Sequence, residues 1–256
     1  MELSLAIVWP LLLGAVLGGV GGLLGIGGGI IAIPVLAMGF GMSQQMAQGT
    51  ALVMIMPNVL LAFWRYYQRH PMPLATVGLL GACALVATGP AAWLAIHLDS
   101  RLLGLCFAVF LIGLSFYFLR GARASAPVEM KSAGWNPHFM PGAGLTGGFM
   151  SGLFGVGAGL IVAPILVRGF GLRQAVAQGM GLATVLPGSV LALATFAQAG
   201  QVDWRTGALL AVGGMATIST GVGWAHRLPE KKLRRLFALL LMATAASMIV
   251  RGVAAG

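Results

Sequence analysis

Gly25-Ile26-Gly27-Gly28-Gly29 runs on through Ile30-Ile31-Ala32-Ile33 to Pro34. Its counterpart, Gly155-Val156-Gly157-Ala158-Gly159, runs on through Leu160-Ile161-Val162-Ala163 to Pro164. The likeness extends in both directions. Downstream, Gly39-Phe40-Gly41 returns as Gly169-Phe170-Gly171, Ala47-Gln48-Gly49 as Ala177-Gln178-Gly179, and Pro57 as Pro187. Upstream, Gly14, Gly18 and Gly22 return as Gly144, Gly148 and Gly152. Self-similarity at one fixed offset decides the fold before any local reading. The chain is two copies of one unit, each built around a glycine knot inside an apolar run.

The surroundings of the knots are hydrocarbon-like. Of the 256 residues, 59% are hydrophobic and 8% charged, and the mean hydropathy is +0.95. A soluble domain carries about 25% charged residues, so this chain cannot cover a water-facing surface and belongs in a bilayer. The net charge of +10 sits in short loops between apolar runs. No basic stretch is long enough to follow a phosphate backbone, which excludes nucleic acid. Cys83 and Cys106 lie inside apolar runs with no metal-ligand spacing and read as small packing residues. The N-terminus lacks a basic n-region, and its long apolar run reads as a retained membrane segment, not a cleaved signal peptide.

In order, the first copy offers apolar pieces at 3–24, 28–38, 46–64, 74–96 and 102–119, and the second at 139–154, 158–168, 175–197, 205–225 and 233–250. This divides the chain into a first repeat at 1–119, a polar linker at 120–137 and a second repeat at 138–256. The pieces at 28–38 and 158–168 reach only about 17 Å as helix, roughly half the hydrocarbon core. If each knot sat inside one broken span, the basic residues would divide evenly between the two sides of the membrane. If each knot is the tip of a re-entrant hairpin, only Arg101, Arg205 and Arg251 face one side, leaving twelve of the 15 Lys and Arg residues on the other. The positive-inside rule selects the hairpin. The expected fold is all-α and polytopic, with two inverted repeats, each a broken hairpin plus three transmembrane helices. The tryptophans agree: Trp9, Trp93 and Trp204 fall near one boundary, and Trp64, Trp135 and Trp224 near the other.

Inverted repeats with broken helices place a substrate near the midplane, where half-helix ends meet. Free N–H groups and the helix dipole make such an N-terminus attractive to anions. Glycine lets the backbone turn sharply and lets a ligand approach. The candidate binding residues are therefore Gly25, Gly27, Gly28, Gly29, Gly155, Gly157, Ala158 and Gly159, joined by Gln48, Gly49, Thr50, Gln178 and Gly179 at the next span starts. A valine at Gly28 is expected to abolish binding while leaving the protein folded. Thr50 has no counterpart, since Met180 stands there, so the halves are unequal. The four-residue glycine stripes read as helix-packing faces. Asn58, Ser189, Thr195 and Gln198 read as packing polar groups.

No Asp or Glu lies mid-span. Cation carriers and proton pumps use buried carboxylates, so the interior favours an anionic or polar neutral substrate. Ser151 lies beside the second knot without a mid-span histidine, so catalysis is not expected and the chain does not read as an enzyme. No metal and no cofactor is implied.

The duplicated G-x-G-G-G…P and the following Q-G-T turn resemble the TauE/SafE family of bacterial membrane proteins, the sulfite exporter or toluene-sulfonate-uptake permeases. The resemblance covers nearly the whole chain. It points to Gly25, Gly27, Gly28, Gly29, Pro34, Gln48, Gly49 and Thr50, and to Gly155, Gly157, Gly159, Pro164, Gln178 and Gly179. Ala158 and Met180 depart from the pattern. It implies a multi-pass protein of the bacterial inner membrane that moves sulfite, sulfoacetate or other organosulfonates. Its implied partners are a small anion and membrane lipid, with homo-oligomers allowed. A non-transporting membrane assembly factor is the alternative, and it would be expected to show Cys/His ligand clusters.

Overall fold

In hydrocarbon every backbone polar group must be satisfied internally, so the apolar runs form helices. The computed structural model describes residues 2–24, 27–123, 135–156, 159–225 and 230–254. Gly25, Gly157, Ala158 and most of the linker lie outside them. The helices are α1 (Glu2–Leu24), α2 (Gly29–Gly39), α3 (Gln44–Arg69), α4 (Leu74–His97), α5 (Ser100–Arg123), α6 (Met140–Phe154), α7 (Gly159–Phe170), α8 (Gln174–Gln198), α9 (Trp204–Ala225) and α10 (Glu230–Ala254). A single 3₁₀ turn, Pro137–Phe139, precedes α6.

Among the described residues, α3, α4, α5, α8 and α9 are long and apolar enough to cross a bilayer. The sixth long helix after the knots, α10, has 25 residues, with its apolar stretch at 235–250. Val86, Val109, Leu239 and Val250 are exposed on these helices, as a lipid-facing surface requires. All six tryptophans are exposed as well. Cys106 is exposed too, so it faces outward instead of filling a packing gap.

The glycine stripes join the two copies. A side-chain carbon on Gly14, Gly18 or Gly22 of α1 would strike the backbone of Leu210, Gly214 or Ile218 of α9. One on Gly144, Gly148 or Gly152 of α6 would strike the backbone of Leu80, Ala84 or Thr88 of α4. The second set is the first displaced by 130 residues with the partners exchanged. Small residues permit this approach where lipid gives no hydrophobic drive between helices. Thr88 reinforces it by donating to the Gly148 carbonyl at 3.0 Å.

These contacts fix directions. α1 runs parallel to α9, and α6 parallel to α4. α3 and α8 run antiparallel: Gly49 near the start of α3 meets Gln201 just past α8, and Gly179 near the start of α8 meets Met72 just past α3. Gln44 N–H donates to Ser100 Oγ at 3.0 Å, and Gln45 Nε2 donates to the Leu98 carbonyl at 2.7 Å. The start of α3 therefore shares one end of the molecule with the starts of α5, α9 and α1. Since α2 leads into α3, the chain reverses between α1 and α2. By the same reasoning it reverses between α6 and α7, from the opposite end. The arms differ in length: α1 has 23 residues and α6 has 15, or about 34 Å against about 22 Å.

Gly18→Leu is expected to lower the apparent melting temperature of the detergent-solubilised protein sharply, in line with an overpacking cost of about 3 kcal/mol. Gly113→Ala, on an exposed face with nothing within 4 Å, should leave it unchanged or raise it. Equal melting of the two variants would contradict the α1–α9 packing.

Candidate functional site

The first reversal is made by Gly27 (φ 69°) and Gly28 (φ 85°), both left-handed and buried. Gly28 caps α2 with no side-chain hydrogen bond. Its carbonyl accepts from Ile31 N–H at 3.3 Å and Ala32 N–H at 3.1 Å, and no side-chain hydrogen bond caps the first amides of α2. A side-chain carbon on Gly28 would lie 2.7 Å from the Leu17 carbonyl oxygen. Positive φ and this contact both oppose a valine there. The substitution therefore strains the fold and cannot act as the clean block expected from sequence.

The second reversal starts at Gly155 (φ 63°), which ends α6 with its N–H on the Ser151 carbonyl at 2.9 Å. Phe154 anchors it, stacked on Phe110 of α5 with ring centroids 4.9 Å apart. The two reversals meet. A side-chain carbon on Gly29 would lie 3.8 Å from the Gly155 carbonyl oxygen, and one on Gly155 would lie 3.1 Å from Gln48 Cβ. Gly27 and Gly29 lie against Val59 and Ile55, farther along the same face of α3 as Gln48. Gly159, the first residue of α7, lies against Gly181 of α8.

Two buried polar side chains flank this junction. Gln48 is 0% exposed, and neither its Nε2 nor its Oε1 has a partner among the described residues. Ser151, at 1%, likewise has an unpartnered hydroxyl. A buried polar group left without a partner costs about 1–3 kcal/mol, so such groups call for an explanation. The sequence presents Ser151 only as a nucleophile without a histidine, and its signal for a site is its position one turn before the knot. Asn58, read as a packing group, is fully buried against Gly214 with both amide atoms unpartnered.

The remaining candidates face elsewhere. Thr50 Oγ1 accepts from Asp203 N–H at 3.0 Å, and Gly49 admits the Gln201 carbonyl, so both hold the turn between α8 and α9. Gln178 Oε1 accepts from the Tyr66 hydroxyl at 3.1 Å, and Gly179 receives Met72, so both join the second copy to the end of α3. Gly25, Gly157 and Ala158 lie outside the described residues. Among those described, no three His, Cys, Asp or Glu side chains converge as a metal site.

A bundle of apolar helices with two interior chain reversals and unpaired polar groups between them defines the class of a polytopic membrane transporter. The family model described as "Sulfite exporter TauE/SafE" matches residues 11–248, and the chain belongs to that family. It is 30% identical over 241 residues to a probable membrane transporter protein of Xylella fastidiosa, covering 90% of each chain. It is 27% identical over 191 residues to one of Methanocaldococcus jannaschii, covering 71% of this chain and 70% of the other. A Bacillus subtilis counterpart is 22% identical over 268 residues, covering 94% and 96%. No solved structure matches the chain.

Thr50→Val keeps the shape of the side chain but leaves Asp203 N–H without its acceptor. It should destabilise by about 1–3 kcal/mol, read as a lower melting temperature. Unchanged melting would show that the Thr50–Asp203 bond does not hold the turn.

Proposed function

We propose that this transporter is a secondary carrier for small sulfur oxyanions and sulfonates, with the anion held where the two reversals meet. The observation that carries this is the buried N-terminus of α2, capped by no side-chain hydrogen bond, near an unpartnered, fully buried Gln48 at Gly155. Main-chain N–H groups at a helix start attract negative charge, and a carboxamide adds two further donors. Asp99 and Asp203 sit at helix ends, where Asp99 caps Arg101 and Leu102 amides and Asp203 caps those of Arg205 and Thr206. Neither puts negative charge in the interior, so among the described side chains an anion meets no carboxylate there.

Alternating access fits the same arrangement. The two copies read as inverted repeats, supported by the antiparallel run of α3 and α8 and by the exchange of partners at a constant offset. Two like halves packed around a central site can rock against each other. The two ends of the α3–α8 seam are closed by different contacts: Thr50 with Asp203 and Ser43 with Gln201 at one end, Tyr66 with Gln178 at the other. Opening one end while the other holds would expose the junction to one side at a time. The substrate class follows the family description and the polarity of the site. An assembly-factor role has no such support.

Proteoliposomes containing the purified protein should take up labelled sulfite or sulfoacetate in a saturable manner. Flux no greater than in empty vesicles across a panel of such anions would overturn the carrier reading.

A further inference from the structure

The two copies carry the same glutamine, but its surroundings differ. Gln178 Oε1 accepts from the Tyr66 hydroxyl, which reaches it from the end of α3 at 3.1 Å. The counterpart of Tyr66 at the constant offset of 130 is position 196, and Phe196 stands there. The register of the two ends supports that equivalence. Gly179 lies against Met72, and Gly49 lies against Val202, the residue 130 positions beyond Met72. Phe196 is 0% exposed, and its carbonyl accepts from Gln201 N–H at 2.8 Å, which holds it in the turn that abuts Gly49. A phenyl ring has no hydroxyl to donate. Gln48 is thereby left without the partner that its counterpart has.

We infer that the site is one-sided: Gln48 is the glutamine that contacts the anion, and Phe196 keeps it available. Gln178 is a strut tied to Tyr66. This inference rests on the carrier reading and names the side chain that would confer its specificity. Physically, a hydroxyl at position 196 would donate to Gln48 Oε1, as Tyr66 does to Gln178 Oε1, and so fix the amide with its NH2 turned from the anion. A buried amide held ready and unpaired reduces stability, as binding sites commonly do. Ser151, whose hydroxyl is unpaired and whose carbonyl accepts from Gly155 N–H, would add a hydroxyl donor to the same anion. Its counterpart is Gly21, which adds to the asymmetry.

The test uses the full-length protein, with sulfite as the probe for flux in proteoliposomes and for binding in detergent, and with melting temperature measured in parallel. Gln48→Ala should weaken sulfite binding by about tenfold to a hundredfold, the range for a hydrogen bond to a charged group. Its melting temperature should be unchanged or higher, which loss of a merely structural residue would not give. Phe196→Tyr should raise the melting temperature and weaken sulfite binding by about tenfold, because the new hydroxyl, donating to Gln48 Oε1, fixes the amide away from the anion. Tyr66→Phe should lower the melting temperature and leave affinity within about twofold. Phe196→Tyr with unaltered affinity, or Gln48→Ala with flux equal to the unmodified protein, would overturn the one-sided site and leave the carrier reading standing. Absence of sulfite flux and binding in the unmodified protein would overturn both.

Discussion

Backbone amides cannot be left bare in hydrocarbon. The cost per unsatisfied group is several kcal/mol, so a helix may break at membrane depth only where protein or a polar cavity surrounds the break. The rest of the architecture answers to that constraint. Gly27 and Gly28 reverse the chain in a buried position, and Gly155 does so for the second copy. The first is shielded mainly by Leu17, Val59 and Ile55 of its own copy and abuts Gly155 of the other; the second is shielded by Gln48 and the α5 aromatics of the first copy. Neither reversal could stand alone in a bilayer.

That dependence explains the exchange of partners. α1 packs on α9 and α6 on α4, so each hairpin is clamped by a long helix of the opposite copy. The clamp works because glycine and alanine bring backbones into contact, gaining dispersion and weak polar contacts in place of a hydrophobic drive. At the ends of the seam between α3 and α8 the contacts become polar, through Thr50 with Asp203 and Tyr66 with Gln178. The apolar clamp holds the hairpins, and the polar contacts tie the two ends of the seam.

Much of this was legible before any coordinates. The repeat, the helix pieces, the glycine stripes and the placement of the tryptophans follow from spacing and hydropathy, because those properties are local. The sense of the reversal at each knot was also readable, since loop charge records topology. The distinction among candidate site residues was not. Gly49 and Thr50 look like extensions of the Gln48 motif, yet a helix turns 100° per residue, and successive residues face different neighbours. Thr50 finds Asp203, 153 residues away. The difference between Gln48 and Gln178 lies in Phe196 and Tyr66, which could be compared only after the two helix ends were known to meet. Ser151 is visible beside the knot, but the sequence alone does not show that its hydroxyl is buried and unpartnered.

The central claim is that bare amides at the meeting of two chain reversals hold an anion inside a membrane protein. Selenite matches the shape and charge of sulfite and carries a strong anomalous scatterer. The most direct measurement is therefore the selenium anomalous map of crystals grown with selenite. The account predicts a peak bounded by the start of α2, Gly155 and Gln48. A peak elsewhere in the bundle, in protein that transports the anion, would contradict it.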